Sequence, residues 1–278
     1  MRPALTIVLP CYNEAAGIVR SLTALRTWFP RDTQILVIDD GSTDGTGDLV
    51  RRHAESEADD RTHVHVRPAN GGKGASIRAA IGPAAGEHVV LVDADLAFGR
   101  DSIAAVLHGL EDGDVAIGNR RHVESRYSVP VRLFGFLYRR HLVGLTFNAL
   151  VRAAFGLPYR DTQCGLKAFR RGALERLGRS LTIDGFAIDV EILLVARALG
   201  LRVTEVPVVV TYESAASSVR LIRSAMAMST DLVRMLLRRA TGRYRAGQLT
   251  AGDAMSPPPA PGPSSTPIDP PRAPSARK

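Results

Sequence analysis

Asp93 and Asp95 stand one residue apart at the end of an aliphatic run, VLVDADLAFG (Val90–Gly99). A strand has a side-chain period of two, so both carboxylates point to one side if the strand continues through them. Two anions held together repel unless a cation lies between them. A divalent ion with open coordination positions fills that role and can carry phosphate oxygens as well. The plain alternative is a strand running out into a solvated acidic turn. A second pair, Asp39 and Asp40, closes the aliphatic run of VIDDGSTDGT (37–46). Carboxylates there can accept hydrogen bonds from a ribose or a base N–H, while Ser42 or Asp44 can form the turn and cap the next helix. NGGKGAS (70–76) sets Lys73 among glycines at a helix start, a position suited to a pyrophosphate. The spacing is not that of a P-loop, because no glycine lies five residues before the Gly72–Lys73 pair and Gly74 takes the Ser/Thr position.

The elements that must position these groups alternate. Strands are predicted over 5–10, 34–40, 63–68, 88–94 and 114–119, with helices over 14–29, 43–56, 73–82 and 101–110 between them. That order implies βαβ units and a mostly parallel sheet, whose ligands gather beyond the carboxyl ends of the strands. PCYNE, DDGSTDGT, DAD and GNRR each follow a strand. The second half is less regular. Residues 129–159 read as one or two apolar, basic helices, 161–172 as a turn and short strand, 186–200 as a helix stopped by Gly200, 201–213 as a strand and 218–245 as a basic amphipathic helix.

The chain has 278 residues, enough for one α/β domain with extensions, and a net charge of +8. Arginine supplies nearly all of it, since Lys73, Lys167 and Lys278 are the only lysines. Such a surface favours anionic partners, and no nucleic-acid motif accompanies it, so membrane or phosphorylated substrates are expected rather than nucleic acid. Two distant cysteines, Cys11 and Cys164, make neither a disulfide framework nor a zinc site and suggest a reducing, cytosolic setting. No apolar run reaches the ~18 residues of a spanning helix, and the N-terminal run is too short for a signal peptide. Nine of the 17 prolines lie between Pro257 and Pro274, which predicts a disordered Pro/Ser-rich tail.

VLPCYNEAAGI, VIDDGSTDGT, NGGKGASIRAAI and LVDADL, in that order, resemble the donor-binding half of family 2 glycosyltransferases of GT-A fold. GNRRHVESR, DTQCGLKAFRRGA and DGFAIDVEILLVA resemble the dolichyl- and polyprenyl-phosphate sugar synthases, especially the glucosyl branch. The resemblance spans roughly 4–213. It implies a Rossmann-like, mostly parallel sheet with flanking helices, and three regions: a catalytic domain over 1–217, a basic amphipathic helix over 218–247 that associates with a membrane, and the tail over 248–278. It further implies that Pro10, Tyr12 and Glu14 border the nucleotide, with Lys73 and Ala94 on the same nucleotide-sugar side, and that Asp39 or Asp40 recognises uridine. Asp93 would meet the ribose or the metal (Mg2+ or Mn2+), and Asp95 the metal bridging the diphosphate. Arg120 and Arg132 would meet the acceptor phosphate. Asp161, Gln163, Asp189 and Glu191 would line the sugar pocket, although residues at i and i+2 of a helix do not share a face, so one of Asp189 and Glu191 should contact sugar and the other be solvated or paired with an arginine.

Two departures from the family pattern matter. Ala97 stands where mannosyl members often carry Gln, which favours the glucosyl branch and leaves the metal one side-chain ligand poorer. AASSVR stands where relatives often have Gly-Ser-Lys, putting Ser218 at the lysine position with Arg220 as a substitute. The expected reaction is transfer of glucose from UDP-glucose to a polyprenyl phosphate by a peripheral enzyme on the cytoplasmic membrane face. A phosphate nucleophile needs no general base, so the lack of a Ser/His or Cys/His pair fits. The alternatives are another donor (UDP-N-acetylhexosamine or GDP-mannose), a sugar nucleotidyltransferase whose Gly-rich N-terminal signature is missing here, or a non-catalytic membrane-docking partner.

Overall fold

The computed structural model describes residues 3–130, 134–211 and 221–244, with backbone alone over 134–143 and 221–227. Arg132, Ser218, Arg220 and the 248–278 tail therefore lie outside the described residues. The first half is β1 (Leu5–Cys11), α1 (Ile18–Trp28), β2 (Thr33–Asp39), α2 (Thr46–Ser56), β3 (Thr62–Val66), α3 (Lys73–Ile81), β4 (His88–Leu91), α4 (Arg100–His108) and β5 (Val115–Asn119). Then come β6 (Arg126–Ser128), α5 (Phe134–Phe155), β7 (Lys167–Arg170), α6 (Arg171–Gly178), α7 (Ile188–Ala198), β8 (Val203–Pro207), β9 (Val209–Thr211) and α8 (Leu221–Ala240).

Seven strands form one sheet in the order β3-β2-β1-β4-β7-β5-β8, parallel except for β7, which runs antiparallel to both β4 and β5. β6 and β9 form a small parallel pair of their own. Core strands such as TQILVID read as nearly continuous aliphatics because both faces of a covered parallel sheet are buried. On one face Val8, Leu36, Ile38, Val89 and Ile117 pack with Ile77 of α3, Leu174 and Leu177 of α6, and α7. On the other face Ile7, Leu9, Ile35 and Val90 meet Ile18, Leu22 and Leu25 of α1 and Ile103 and Val106 of α4. α7 is buried from Ile188 to Ala196, as a helix apolar nearly all round must be. Gly200, at φ +67, ends the turn beyond it.

β1 sits where the strand order reverses, with β2 on one side and β4 on the other. It pairs with β4 only over Leu5–Val8, but with β2 as far as Cys11. Pro10, which has no N–H to give a ladder, falls where the β4 side has opened. This is the crevice in which doubly wound sheets bind ligands.

Candidate functional site

Three loops meet at that crevice. After β1, Tyr12 is 45% exposed. Asn13 takes φ +57, Glu14 donates its N–H to Thr46 Oγ1 at 2.9 Å, and Ala15 donates to Asp44 at 3.0 Å. Asp44 thus ties two loops together and also accepts the N–H of Thr46, the first residue of α2, at 3.0 Å, although Gly45 holds the N-cap position. After β2, both carboxylates are buried and hold backbone. Asp39 accepts the Ser42 N–H at 2.9 Å. Asp40 accepts the Gly72 N–H at 2.6 Å and that of Gly71, and pairs with Arg67. Arg67 was missed in the sequence, where it is one arginine of many.

β4 stops at Leu91, so Asp93 and Asp95 do not lie on a strand and the period-two expectation fails. Leu96 donates to the Asp93 carbonyl at 3.0 Å and takes φ +47, making 93–96 a tight turn. Asp95 accepts the Ala97 N–H at 3.1 Å, and the carbonyl of the buried Ala94 accepts the Ser21 hydroxyl at 2.7 Å. The turn still concentrates negative charge. Burial and the nearby Asp95, Asp44 and Asp93 push the Glu14 carboxyl above its ordinary range.

Lys73 opens α3 and reaches across the crevice to Asp93 at 3.0 Å and Asp189 at 3.2 Å. Burial opposes its charge, but these two carboxylates more than offset that and raise its pKa. Lys167, buried on β7, holds the other oxygen of Asp189 at 2.6 Å and also donates to the Cys164 carbonyl. Both lysines of the described chain thus converge on one carboxylate at the start of α7. The Cβ that Gly165 lacks would collide with the Asp93 carboxylate and approach Lys73 Nζ, which is why this loop needs glycine there.

Beyond β5, Arg120 clamps Asp161 through Nε at 2.7 Å and Nη2 at 3.0 Å, and also gives its backbone N–H. Asp161 is 1% exposed, and despite that burial Arg120 holds its carboxyl below the usual range. Gln163 donates its backbone N–H to the same carboxylate at 3.2 Å. Asp161 is therefore a bracket for Arg120 and for the DTQCG loop. Arg121, which sequence reasoning passed over, donates to the Gly144 carbonyl of α5 at 2.9 Å. Its charge is disfavoured first by burial, with Arg120 and Arg152 adding to the effect, so three arginines gather beside α5.

Glu191 does not line the site. It is fully buried and accepts the Thr182 and Ile183 N–H groups, each at 2.8 Å, and the Thr182 and Tyr244 hydroxyls at 2.6 and 2.8 Å. The helical spacing correctly separates it from Asp189, and the nearest arginine, Arg238, lies 3.9 Å away. The amphipathic pattern expected over 218–245 is only partly followed by the burial seen on α8. Leu232 and Met235 are buried, whereas Val233, Leu236 and Ser229 face outward.

Among the described residues no group of three or more His, Cys, Asp or Glu could hold a metal alone. A hard divalent ion that takes its remaining ligands from diphosphate and water needs only one or two carboxylates. Asp95, with Asp93 beside it in the 93–96 turn, fits an ion of that kind. Both cysteines are buried thiols, Cys164 pushed up to about 12 chiefly by burial, and so are not nucleophiles at neutral pH.

The model of glycosyl transferase family 2 matches residues 6–178. The human dolichyl-phosphate beta-glucosyltransferase is 32% identical over 259 residues, 88% of this chain and 78% of that protein. The Saccharomyces cerevisiae protein of the same name is 27% identical, covering 87% and 76%. Among solved structures, glucosyl-3-phosphoglycerate synthase from Mycobacterium tuberculosis in complex with UDP superposes with a TM-score of 0.59 at 22% identity, over 85% of this chain and 80% of that one. A mannosyltransferase from Pyrobaculum calidifontis in complex with GDP-Man and Mn2+ gives 0.53 at 23% identity, over 92% and 77%. These two likenesses establish the fold.

Proposed function

The chain belongs to glycosyl transferase family 2, and on that premise we propose that it transfers glucose from UDP-glucose to a polyprenyl phosphate, giving the β-linked lipid phosphate sugar. The observation that carries this reading is the adjacency of two charged assemblies. The Asp93–Lys73–Asp189 network lies at the sheet's switch point, and Arg120, followed by Arg121, stands after β5. The Arg120 charge is felt at Asp93, whose carboxyl is lowered against burial chiefly by Lys73.

Tyr12 borders the base, and Glu14, Asp39 and Asp40 frame the nucleotide loop. Lys73 presents its ammonium where the diphosphate lies. A divalent ion at Asp95 and Asp93, Mg2+ or Mn2+, supplies neutralisation of the leaving diphosphate when bound. Asp189, clamped by two lysines, holds the Lys73 ammonium in place and is not a base. The acceptor phosphate is ionised at neutral pH, its second pKa being about 6, and attacks without proton abstraction. Bringing it within about 5 Å of the diphosphate costs roughly 3 kcal/mol per charge pair at an effective dielectric of 20. Arg120 and Arg121 oppose that cost, with Arg132 as a further candidate. Attack from the far face converts an α-linked donor into a β-linked product.

Among the described residues no helix is long and apolar enough to cross a membrane. The exposed Leu145 and Leu150 of α5 and Val233, Leu236 and Leu237 of α8, with arginines beside them, suit a peripheral seat on an anionic cytoplasmic surface. Incubating the purified chain with a panel of nucleotide sugars and polyprenyl phosphate tests the reading. Product is expected with UDP-glucose, and product with GDP-mannose or UDP-N-acetylhexosamine alone would replace the donor.

A further inference from the structure

Glu191 is a buried carboxylate two residues from Asp189, and each of its bonds goes to another part of the chain. Four donors satisfy it, about the number of lone-pair sites a carboxylate offers. The two N–H groups come from Thr182 and Ile183, and one hydroxyl comes from Tyr244, four residues beyond the end of α8. The segment that Glu191 holds is itself a cap. The Asp184 carbonyl accepts the Gly74 N–H at 2.7 Å and the Ala75 N–H at 3.3 Å, and the Ile183 carbonyl accepts Arg78 at 2.6 Å. The Gly74 and Ala75 amides lie in the first turn of α3, where no intrahelical partner exists. Gly72, at φ +95, lets that turn approach Asp184 directly. Lys73 is the first residue of the turn.

We infer that Glu191 is a positioning residue through which the C-terminal helix α8 sets the donor site. Tyr244 latches Glu191, Glu191 fixes 182–183, and Asp184 fixes the α3 terminus that aims Lys73 at Asp93 and Asp189. Arg238 Nη1, buried without a hydrogen-bond partner 3.9 Å from Glu191, adds charge to the latch from α8 itself. The outer face of α8 carries the exposed Val233, Leu236 and Leu237. On the membrane reading above, the helix that meets the lipid surface is thereby wired to the pocket that holds the nucleotide.

The test compares the full chain with Tyr244→Phe, which keeps the ring and removes the hydroxyl, and with Arg239→Ala. Arg239 bonds the Ala154 carbonyl of α5 at 2.7 Å, so its loss removes one bond between α8 and α5 and leaves the Tyr244–Glu191 bond in place. Amide hydrogen exchange at Gly74, Ala75, Thr182 and Ile183 is read without ligand, and UDP affinity is then measured by calorimetry with Mn2+. Tyr244→Phe should speed exchange at all four amides and weaken UDP binding at least about five-fold, the low end of inter-site couplings. Arg239→Ala should leave both as in the parent. Thr182→Val, which removes the second hydroxyl donor, should reproduce the effect and carries the test should Tyr244→Phe not fold. Unchanged exchange at Gly74 and Ala75 in the latch variants, or equal acceleration in Arg239→Ala, overturns the inference. Failure of the parent chain to bind UDP would count against the proposed donor, while the exchange data would still judge the latch.

Discussion

Lys73, Asp93 and Asp95 divide the work at the residue scale. Lys73 already neutralises Asp93 at 3.0 Å, so the carboxylate whose loss matters most for a cation is Asp95. Asp95→Asn keeps the size and removes the charge. It should cost at least about 2–3 kcal/mol of transition-state stabilisation, the order seen when one preorganised electrostatic group is lost. Activity that survives both EDTA and this substitution contradicts that role. Arg120 needs a different test, because Arg120→Ala strands the buried Asp161 charge and should destabilise the fold by about 3–5 kcal/mol. Arg121→Ala is the better probe of the acceptor side, expected to depress transfer while calorimetry shows donor affinity unchanged. Lysine there should rescue only partly, since the guanidinium fork is lost. Glu14 yields a pH prediction. Its folded carboxyl is raised by burial and by Asp95, Asp44 and Asp93, so the native state binds its proton more tightly than the unfolded chain does. Stability is therefore lost as pH rises from the ordinary carboxylate value through the raised one. Glu14→Gln should raise the thermal midpoint at pH 7 and leave it unchanged well below pH about 4.3. A lower midpoint at pH 7 would show that Glu14 has a stabilising partner.

Helices and strands differed in how legibly the chain announced them. The βα units through β5 were readable because each aliphatic run is buried on both faces and each helix repeats its apolar positions. β7 and α6 were not separable by pattern, since KAFR is a four-residue strand whose last residue abuts the helix. Its antiparallel insertion between β4 and β5 is a tertiary choice that no local spacing encodes. β8 and β9 read as one strand because Val208 alone separates Pro207, the last residue of β8, from Val209. Glu191 was legible only as a carboxylate off the Asp189 face, because its partners lie at Thr182 and beyond α8 at Tyr244. α8 is where pattern and packing diverge most. Its buried edge is Leu232 and Met235, leaving Val233, Leu236 and Leu237 outside. Leu237→Glu should therefore spare UDP binding but weaken sedimentation with anionic vesicles, by roughly 2 kcal/mol if the side chain is fully immersed. Unchanged sedimentation at low and high salt would remove α8 from the lipid contact.

At the scale of the whole molecule, the strand order places the chemistry. The reversal at β1 opens a crevice between β1 and β4, and the loops after β1, β2 and β4, with the first turns of α3 and α7, converge there. The sequence pattern foretold that convergence, since four polar loops each follow a strand. What it did not reveal was the internal bonding of the site: Asp40 spent on the 70s loop, Asp161 on Arg120, and Asp189 between two lysines. The +8 charge, the arginines beside α5 and the exposed apolar edges of α5 and α8 together describe a molecule suited to an anionic lipid acceptor. The most direct measurement is product analysis after the purified chain is incubated with UDP-glucose, polyprenyl phosphate and Mn2+, read by mass spectrometry and by the anomeric coupling of the product. The account predicts polyprenyl-phosphate glucose with β configuration, lost on EDTA treatment and in Asp95→Asn. A retained α configuration, or UDP-glucose left intact with no lipid product, would contradict it.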